Sequence, residues 1–456
     1  MSADQALSQP ATSRSGPSVD LIRELQAGNC VLCAITDTEI DRFYFWFLSE
    51  NYSDPAVISL LIKAQGFCRD HGQQVLELSP PSIVAHVYSQ VCSGALQQVR
   101  QAEHILNRRQ RGRTPTQPLR ATAECHACMA LRQSLNLRLN RLQQEIEHPQ
   151  VLAEVQRGYP LCVDHLVRML PTLNSHRSLF LERTIALLEN QGPANPDLIT
   201  ALYARPGYQA KIDRATTTEL ISSGIPNWSA SLSQLHALME SENCPVCTSV
   251  HIYMTAYWTW LEQEVVSSPV HQWWDALNLC TRHAWDFQHR AAPVAAASLF
   301  AQTRLHWIDR LTMAQPRVAR RDRLPGWINQ LAIRSGASSA ISCDLQPGAQ
   351  CPACRATAEA ARRACRLLAT NLDSPPTAGA YHASSGVCLP HLRVLLGQCE
   401  TQGQIQIALT VARTRLSTIY WELAELGRLQ SWSTRWEPKS ITGIVCRRAV
   451  QHMAGL

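Results

Sequence analysis

The spacing of cysteine and histidine constrains this 456-residue chain more than any other feature. A CxxC pair is followed by a CxxH pair four times, with 34, 33, 32 and 33 residues between the two pairs. A structural zinc ion takes four such ligands at tetrahedral corners, and Cys₃His is a standard set. Each recurrence therefore supplies one complete set, and we expect four Zn²⁺ per chain with no open coordination position. The predicted ligands are Cys30, Cys33, Cys68 and His71; Cys125, Cys128, Cys162 and His165; Cys244, Cys247, Cys280 and His283; and Cys351, Cys354, Cys388 and His391.

Proline indicates where these pairs lie on the backbone. Pro245 and Pro352 lie inside CxxC pairs, and Pro390 lies inside a CxxH pair. Proline is tolerated in the first turn of a helix, so we expect both kinds of pair at helix N-termini, where the helix dipole favours thiolate. Asp70 and Asp164 inside two other CxxH pairs suit a first turn, and we interpret them as capping or dipole residues rather than catalytic acids.

Helical periodicity fills the rest of each recurrence, and the alternation typical of strands is scarce. The apolar positions repeat every three or four residues, as expected for helices with one buried face. We predict an all-α fold of four tandem helical repeats, each with three helices and each stapled by its own Cys₃His metal site. Two of the stripes are Leu131, Leu135, Leu139, Leu142 and Ile146, and Leu409, Ala412, Leu416, Ile419, Leu423 and Leu426.

Proline-rich and basic stretches suggest the boundaries between these repeats, which we call units 1 to 4. The predicted division is a disordered N-terminus at 1–17, unit 1 at 18–112, unit 2 at 118–192, an insertion at 193–230, unit 3 at 231–316, a basic linker at 317–345, unit 4 at 346–430 and a tail at 431–456.

Composition limits the class of protein. With 45% hydrophobic and 17% charged residues the chain can bury a core. No apolar run approaches the roughly 20 residues of a membrane span. The first twenty residues lack the basic and apolar regions of a secretory signal, and 17 cysteines, an odd number, do not suit a secreted disulfide scaffold. We therefore expect a cytoplasmic protein.

The net charge gives little support to a polyanionic partner. Twelve thiolates on four divalent ions would bring the formal charge from +6 down to +2. The arginine-rich stretches at 108–117 and 317–323 nevertheless leave a nucleic-acid-binding regulatory protein open as one alternative.

An iron–sulfur electron-transfer protein is a second alternative, because histidine replaces cysteine in some clusters. Thiol-disulfide catalysis is disfavoured because every CxxC has a CxxH partner. The phosphate-loop, GxGxxG, GxSxG and HExxH signatures are absent from the sequence. We therefore predict no catalytic residues and no organic cofactor. The expected function is that of a non-enzymatic zinc-binding scaffold or adaptor with protein partners.

Two further sets of residues have simpler interpretations. Cys92, Cys365 and Cys399 lie in or beside helical stretches, and we expect them in the core. Unit 3 is crowded with tryptophans that either fill a wider core or form a binding surface. These are Trp258, Trp260, Trp273, Trp274 and Trp285.

The segment from Gly66 to His71, GFCRDH, follows a CxxC pair. In this it resembles an uncharacterised bacterial domain family of unknown function whose members carry CxxC, a helical spacer and then GFCxxH. The tail CRRAV at 446–450 is similar to a C-terminal motif of related proteins, in which tryptophan is expected at position 446. The later units read PLC, NLC and GVC in place of GFC. The resemblance implies metal binding.

Overall fold

A computed structural model describes most of the chain. The described residues are 19–108, 114–158, 161–171, 173, 175–192, 195, 197–205, 231–267, 278–323, 351–434, 436–438 and 443–455. The predicted N-terminal segment, most of the 193–230 insertion and most of the basic linker lie outside these residues. So do Arg109, Arg111, Arg113, Cys343, Trp273 and Trp274.

The all-α prediction is confirmed, because the described part of the chain contains helices and no strand. Units 1 and 2 supply the first nine helices, and the start of the predicted insertion supplies the tenth. They are α1 (Val19–Gln26), α2 (Val31–Ser49), α3 (Pro55–Ala64), α4 (Arg69–Leu78), α5 (Pro81–Arg108), α6 (His126–Glu145), α7 (Pro149–Arg157), α8 (Val163–Met169), α9 (Arg177–Asn190) and α10 (Leu198–Leu202).

Units 3 and 4 and the tail supply the remaining helices among the described residues. They are α11 (Leu232–Met239), α12 (Pro245–Ser267), α13 (Thr281–Arg290), α14 (Pro293–Asp322), α15 (Pro352–Asn371), α16 (Pro375–Ala383), α17 (Leu389–Leu396), α18 (Gln402–Leu429) and α19 (Ile444–Ala454).

The prediction of three helices per unit omitted several short helices. Units 1 and 3 each have one before the CxxC pair, α1 and α11. In units 1, 2 and 4 a helix of nine or ten residues follows the CxxC helix and ends before the CxxH pair. The first residue of each of these helices is a proline, namely Pro55, Pro149 and Pro375. Proline cannot continue the preceding helix but suits the first turn of a new one, so a separate helix begins at that point. The equivalent stretch of unit 3, 268–277, lies outside the described residues.

The long last helices of the units pack in pairs across the molecule. α5 of unit 1 lies along α18 of unit 4, and α9 of unit 2 lies along α14 of unit 3. The apolar stripe predicted for unit 4 is the buried face of α18, with Leu409, Leu416 and Leu423 fully buried. The helices that follow the CxxC pairs are paired in another way. α2 of unit 1 contacts α6 of unit 2, and α12 of unit 3 contacts α15 of unit 4.

Two hydrophobic cores cross the predicted unit boundaries. Core 1 draws its buried residues from 21–204 and 257–353, and core 2 draws its from 40–127 and 235–453. Trp258 and Trp285 are buried in core 1, and Trp260 packs against it, so the described tryptophans of unit 3 fill core space. Each core therefore needs residues from both the first and the second half of the chain.

The C-terminal helix α19 packs against α4 and α5. The approach is close at Gly72, where a Cβ would lie 2.8 Å from Cγ1 of Val450. Glycine in α4 thus allows the last helix of the chain to approach a CxxH helix of unit 1. Among the described residues, no helix combines the length and apolar character needed to cross a membrane.

Candidate metal centres

All sixteen predicted ligands lie in four clusters of three cysteines and one histidine. Within each cluster the four potential ligand atoms lie within 4.8 Å of one another. Group I contains Cys30, Cys33, Cys162 and His165; group II contains Cys68, His71, Cys125 and Cys128; group III contains Cys244, Cys247, Cys388 and His391; and group IV contains Cys280, His283, Cys351 and Cys354.

The prediction that each unit holds its own site is wrong. The CxxC pair of unit 1 meets the CxxH pair of unit 2 in group I, and the CxxH pair of unit 1 meets the CxxC pair of unit 2 in group II. Units 3 and 4 exchange their pairs in the same way, in groups III and IV. Every group therefore joins two units.

Helix lengths explain why a unit cannot close its own site. α2 has 19 residues and α3 has 10. At 1.5 Å per residue, α2 is about 28 Å long and α3 about 15 Å, so even a full return along α3 would cover only about half of α2. Tyr44, in the second half of α2, donates from its hydroxyl to the backbone carbonyl of His71 at 3.1 Å. The CxxH pair that follows α3 is therefore left well short of the start of α2.

The neighbouring unit supplies the missing pair because α6, the helix after its CxxC pair, runs antiparallel to α2. The start of α2 shares core 1 with the end of α6, and the later part of α2 shares core 2 with the start of α6. Phe43, midway along α2, packs edge-on to His126 at the start of α6, with ring centroids 5.3 Å apart. This antiparallel arrangement brings each CxxH pair to the other unit's CxxC pair.

The local backbone at each pair agrees with the prediction of helix N-termini. In seven of the eight pairs the first cysteine is the residue that caps the following helix, and Cys244 directly precedes α12 in the eighth. None of the seven capping cysteines makes a side-chain hydrogen bond to the backbone of its helix. Their sulfurs therefore face the cluster at the positive end of a helix dipole, which favours thiolate.

Glycine shapes the approach to two of the CxxH pairs. Gly66 and Gly386 stand two residues before Cys68 and Cys388, with φ of 92° and 71°. Residues with a Cβ rarely adopt this left-handed conformation, so the glycine of the GFC and GVC sequences has a backbone role.

The sulfurs of each group are close but not bonded. The distance from a CxxC sulfur to the CxxH sulfur is 3.6–3.9 Å in the four groups. The histidine presents Nδ1 to the sulfurs in every group. Its distances to Cys30, Cys33 and Cys162 in group I are 3.3, 3.4 and 3.3 Å, and those in the other groups span 3.2–3.7 Å.

Electrostatics within the groups favours a bound cation. Hydrogen bonding from Cys128 and Cys68 lowers the pKa of the Cys125 thiol to about 3, which makes it a thiolate. Contact with Cys125 raises the pKa of Cys128, because two thiolates at this distance repel each other. Cys351 has a pKa of about 3, lowered first by Cys280, while the pKa of Cys280 is raised first by Cys351. A divalent ion would remove this repulsion and allow all three thiols to ionise.

Two acidic side chains link these clusters to one another. Asp164, inside the CxxH pair of group I, accepts hydrogen bonds from the Ala204 N–H at 3.0 Å and from the Thr281 hydroxyl at 2.5 Å. Thr281 directly follows Cys280 of group IV. Asp70, inside the CxxH pair of group II, forms an ion pair with Arg282 of the group IV pair at 3.5 Å. Both lie in the first turn as predicted, and both contact α13.

The groups differ in exposure to solvent. All four residues of group I are buried, whereas only Cys351 is buried in group IV. Among the described cysteines outside the groups, Cys92, Cys365 and Cys446 are buried and Cys399 is half-buried. The Cys365 thiol donates to the backbone carbonyl of His391 in group III, with sulfur and oxygen 3.8 Å apart. Burial raises the pKa of Cys92 to about 12, so this thiol stays neutral in the core.

No protein-family model, no curated protein and no solved structure matches this chain. The four Cys₃His groups in a helical protein that could bind metal ions are therefore the functional feature that the structure itself provides.

Proposed function

We propose that the chain is a non-enzymatic zinc protein that acts as a scaffold or adaptor for protein partners, with four structural ions. The single observation that carries this proposal is the set of four Cys₃His groups, each with four protein ligands in reach of one ion. A catalytic zinc keeps one position for water or substrate, whereas four protein ligands fill the coordination sphere.

The spacing of the ligand atoms supports a single ion of zinc size. With Zn–S near 2.3 Å and Zn–N near 2.0–2.1 Å, the edges of a tetrahedron are about 3.8 Å between sulfurs and about 3.6 Å between sulfur and nitrogen. The CxxC-to-CxxH sulfur distances of 3.6–3.9 Å agree with this geometry. In a cluster of several irons the four protein ligands are divided among different irons, so ligand atoms on different irons lie further apart than they do around one ion.

A structural role follows from what the ions would connect. Each group lies at the starts of two helices that belong to different predicted units, with at least 53 intervening residues between the two ligand pairs. Structural zinc contributes apparent binding free energies of about 10–16 kcal/mol at pH 7 in small domains. This exceeds the net stability of many domains, so the ions would hold the helical array together.

Elemental analysis and a visible spectrum of protein purified without air test the metal. We expect four zinc ions per chain and no absorbance near 400 nm, since zinc has a filled d shell. A variant with Cys399→Ala, which removes a cysteine outside the groups, serves as the control and should bind the same amount of zinc. Iron with sulfide and a broad brown band would replace this proposal with the electron-transfer alternative.

Partner capture tests the scaffold role. The metal-loaded chain should retain a defined set of proteins that the zinc-stripped chain loses, because removal of the ions disorganises the array. Reconstitution of one such partner from purified components is the decisive step. Saturable binding to DNA or RNA that weakens steeply with salt, with no protein partner, would favour the nucleic-acid alternative.

A further inference from the structure

A cavity of about 630 Å³ lies beside group III, between α11, α16, α18 and α19. This volume is typical of sites for small molecules, which measure about 300–1,000 Å³. Its lining includes Arg415 from α18, Arg448 and His452 from α19, and the metal-group residue Cys244. Basic side chains from two consecutive helices therefore meet at one concave surface.

Arg415 is held in place without a carboxylate partner among the described residues. Its Nη2 donates to the backbone carbonyls of His382 and Ala383, at 2.8 and 3.0 Å, at the C-terminus of α16. Its Nε is buried and has no hydrogen-bond acceptor among the described residues. A guanidinium has five donors, and the two carbonyls occupy only one of its nitrogens. The side chain is thus fixed in position with donors to spare.

His452, on α19, is a second polar side chain at the cavity, and it has no hydrogen-bond partner among the described residues. The residue is 8% exposed, and its ring forms no hydrogen bond with the described part of the chain. Burial lowers its pKa to about 4, so the imidazole is neutral and presents one N–H donor and one acceptor. Because the residue lines the cavity and its ring makes no hydrogen bond to the described residues, a ligand in the cavity can supply its partner.

The charged residues of the cavity lining differ in their partners and in their exposure. Arg448 also lines the cavity, but Glu422 accepts from it at 2.9 Å, so its charge is balanced. Glu240 and Glu242 at the cavity lining are exposed to solvent. The charge without an acidic partner is therefore that of Arg415. If Arg415 only capped α16, neither the open space beside it nor the unpaired ring of His452 would be explained.

We propose that this cavity binds a small organic anion, through a carboxylate or phosphate group that accepts hydrogen bonds from Arg415 and His452. A guanidinium matches both groups because its parallel N–H donors fit two oxygens. The site is separate from the metal ligation proposed above, although Cys244 borders it. The apolar lining from Met239 and Ile419 accommodates the body of the molecule.

Isothermal titration calorimetry of the full chain loaded with metal tests this site, with inorganic phosphate and succinate as separate probes. We expect saturable binding of at least one probe at millimolar concentration or below. Tighter binding of phosphate assigns a phosphoryl ligand, and tighter binding of succinate assigns a carboxylate ligand. Saturable heat from neither probe would overturn the proposal, whatever metal the protein contains.

Three variants locate the binding. Arg415→Gln should weaken it about 10- to 100-fold, because hydrogen bonds to a charged group are lost. Thr418→Trp fills the cavity from an exposed helix position and removes no charge, so it remains informative if the loss of the α16 contact unfolds Arg415→Gln. Arg447→Gln, an exposed arginine on α19 outside the cavity lining, should bind like the wild type. Wild-type affinity in both Arg415→Gln and Thr418→Trp would contradict the assignment.

Discussion

Two variants, each lacking four ligands, distinguish the pairing seen in the structure from pairing within a unit. The first replaces Cys30, Cys33, Cys162 and His165, which together form group I. The second replaces Cys30, Cys33, Cys68 and His71, which are split between groups I and II. Cysteine becomes serine and histidine becomes asparagine in both, so the two variants lose the same kinds of side chain.

The expected metal content follows from the four groups. The first variant destroys one group and should retain three of the four ions, whereas the second leaves two groups with half their ligands and should retain two. Each ion lost removes a term of about 10–16 kcal/mol of apparent binding free energy. The second variant loses one more ion than the first, so its free energy of unfolding should be lower by an amount of this order. Relaxation of the hydrophobic cores offsets part of the difference.

The metal content per chain is measured by inductively coupled plasma mass spectrometry after gel filtration. The gel-filtration buffer contains a weak chelator, which removes ions from incomplete sites. The control replaces Cys92, Cys399 and Cys446 with alanine, and it should keep all four ions because these residues lie outside the groups. Two ions in the first variant and three in the second would refute the cross-pairing and restore one site per unit.

Three smaller perturbations test other contacts. Asp164→Asn should lower the free energy of unfolding by about 1–3 kcal/mol, because it removes a half-buried carboxylate that accepts hydrogen bonds from Ala204 and Thr281. Asp70→Asn, at the more exposed ion pair with Arg282, should change it by less than about 1 kcal/mol, and urea unfolding measures both. Gly72→Ala places a Cβ 2.8 Å from Val450, so it should destabilise the wild type more than a Val450→Ala background; equal effects in a double-mutant cycle would show that the contact is not tight. His452 has a pKa near 4 when folded, against 6.5 when free. It binds fewer protons in the folded state between these values, so it makes stability rise with pH across this window, by up to about 3 kcal/mol. His452→Gln should flatten the pH dependence there, and an unchanged slope would remove His452 as its source.

The sequence predicts the helices and the ligands well because both depend on local spacing. Stripes such as that from Leu409 to Leu426 have the period of a helix, and two ligands three residues apart reach one ion wherever the helix starts. The residues of all four groups were therefore predictable from the sequence before any tertiary contact was known.

The pairing was not predictable because it depends on lengths and directions that no motif encodes. α3, which follows α2, is only about half as long as α2, and α6 runs antiparallel to α2. These two facts together place Cys162 beside Cys30 rather than beside Cys125. The anion cavity is similar, since Arg415 and His452 come from separate helices and share no spacing that the sequence shows.

The ligand pairs are nested along the chain, and this sets an order for metal uptake during synthesis. Group II lies between the two halves of group I, and group IV lies between the two halves of group III. The inner loops, between His71 and Cys125 and between His283 and Cys351, span 53 and 67 residues, against 128 and 140 for the outer ones. A shorter loop loses less entropy on closure, by about 0.6 kcal/mol for each halving of length, and its ligands also leave the ribosome first. The first two ions can therefore bind once His165 has emerged, before the second half of either hydrophobic core has been made.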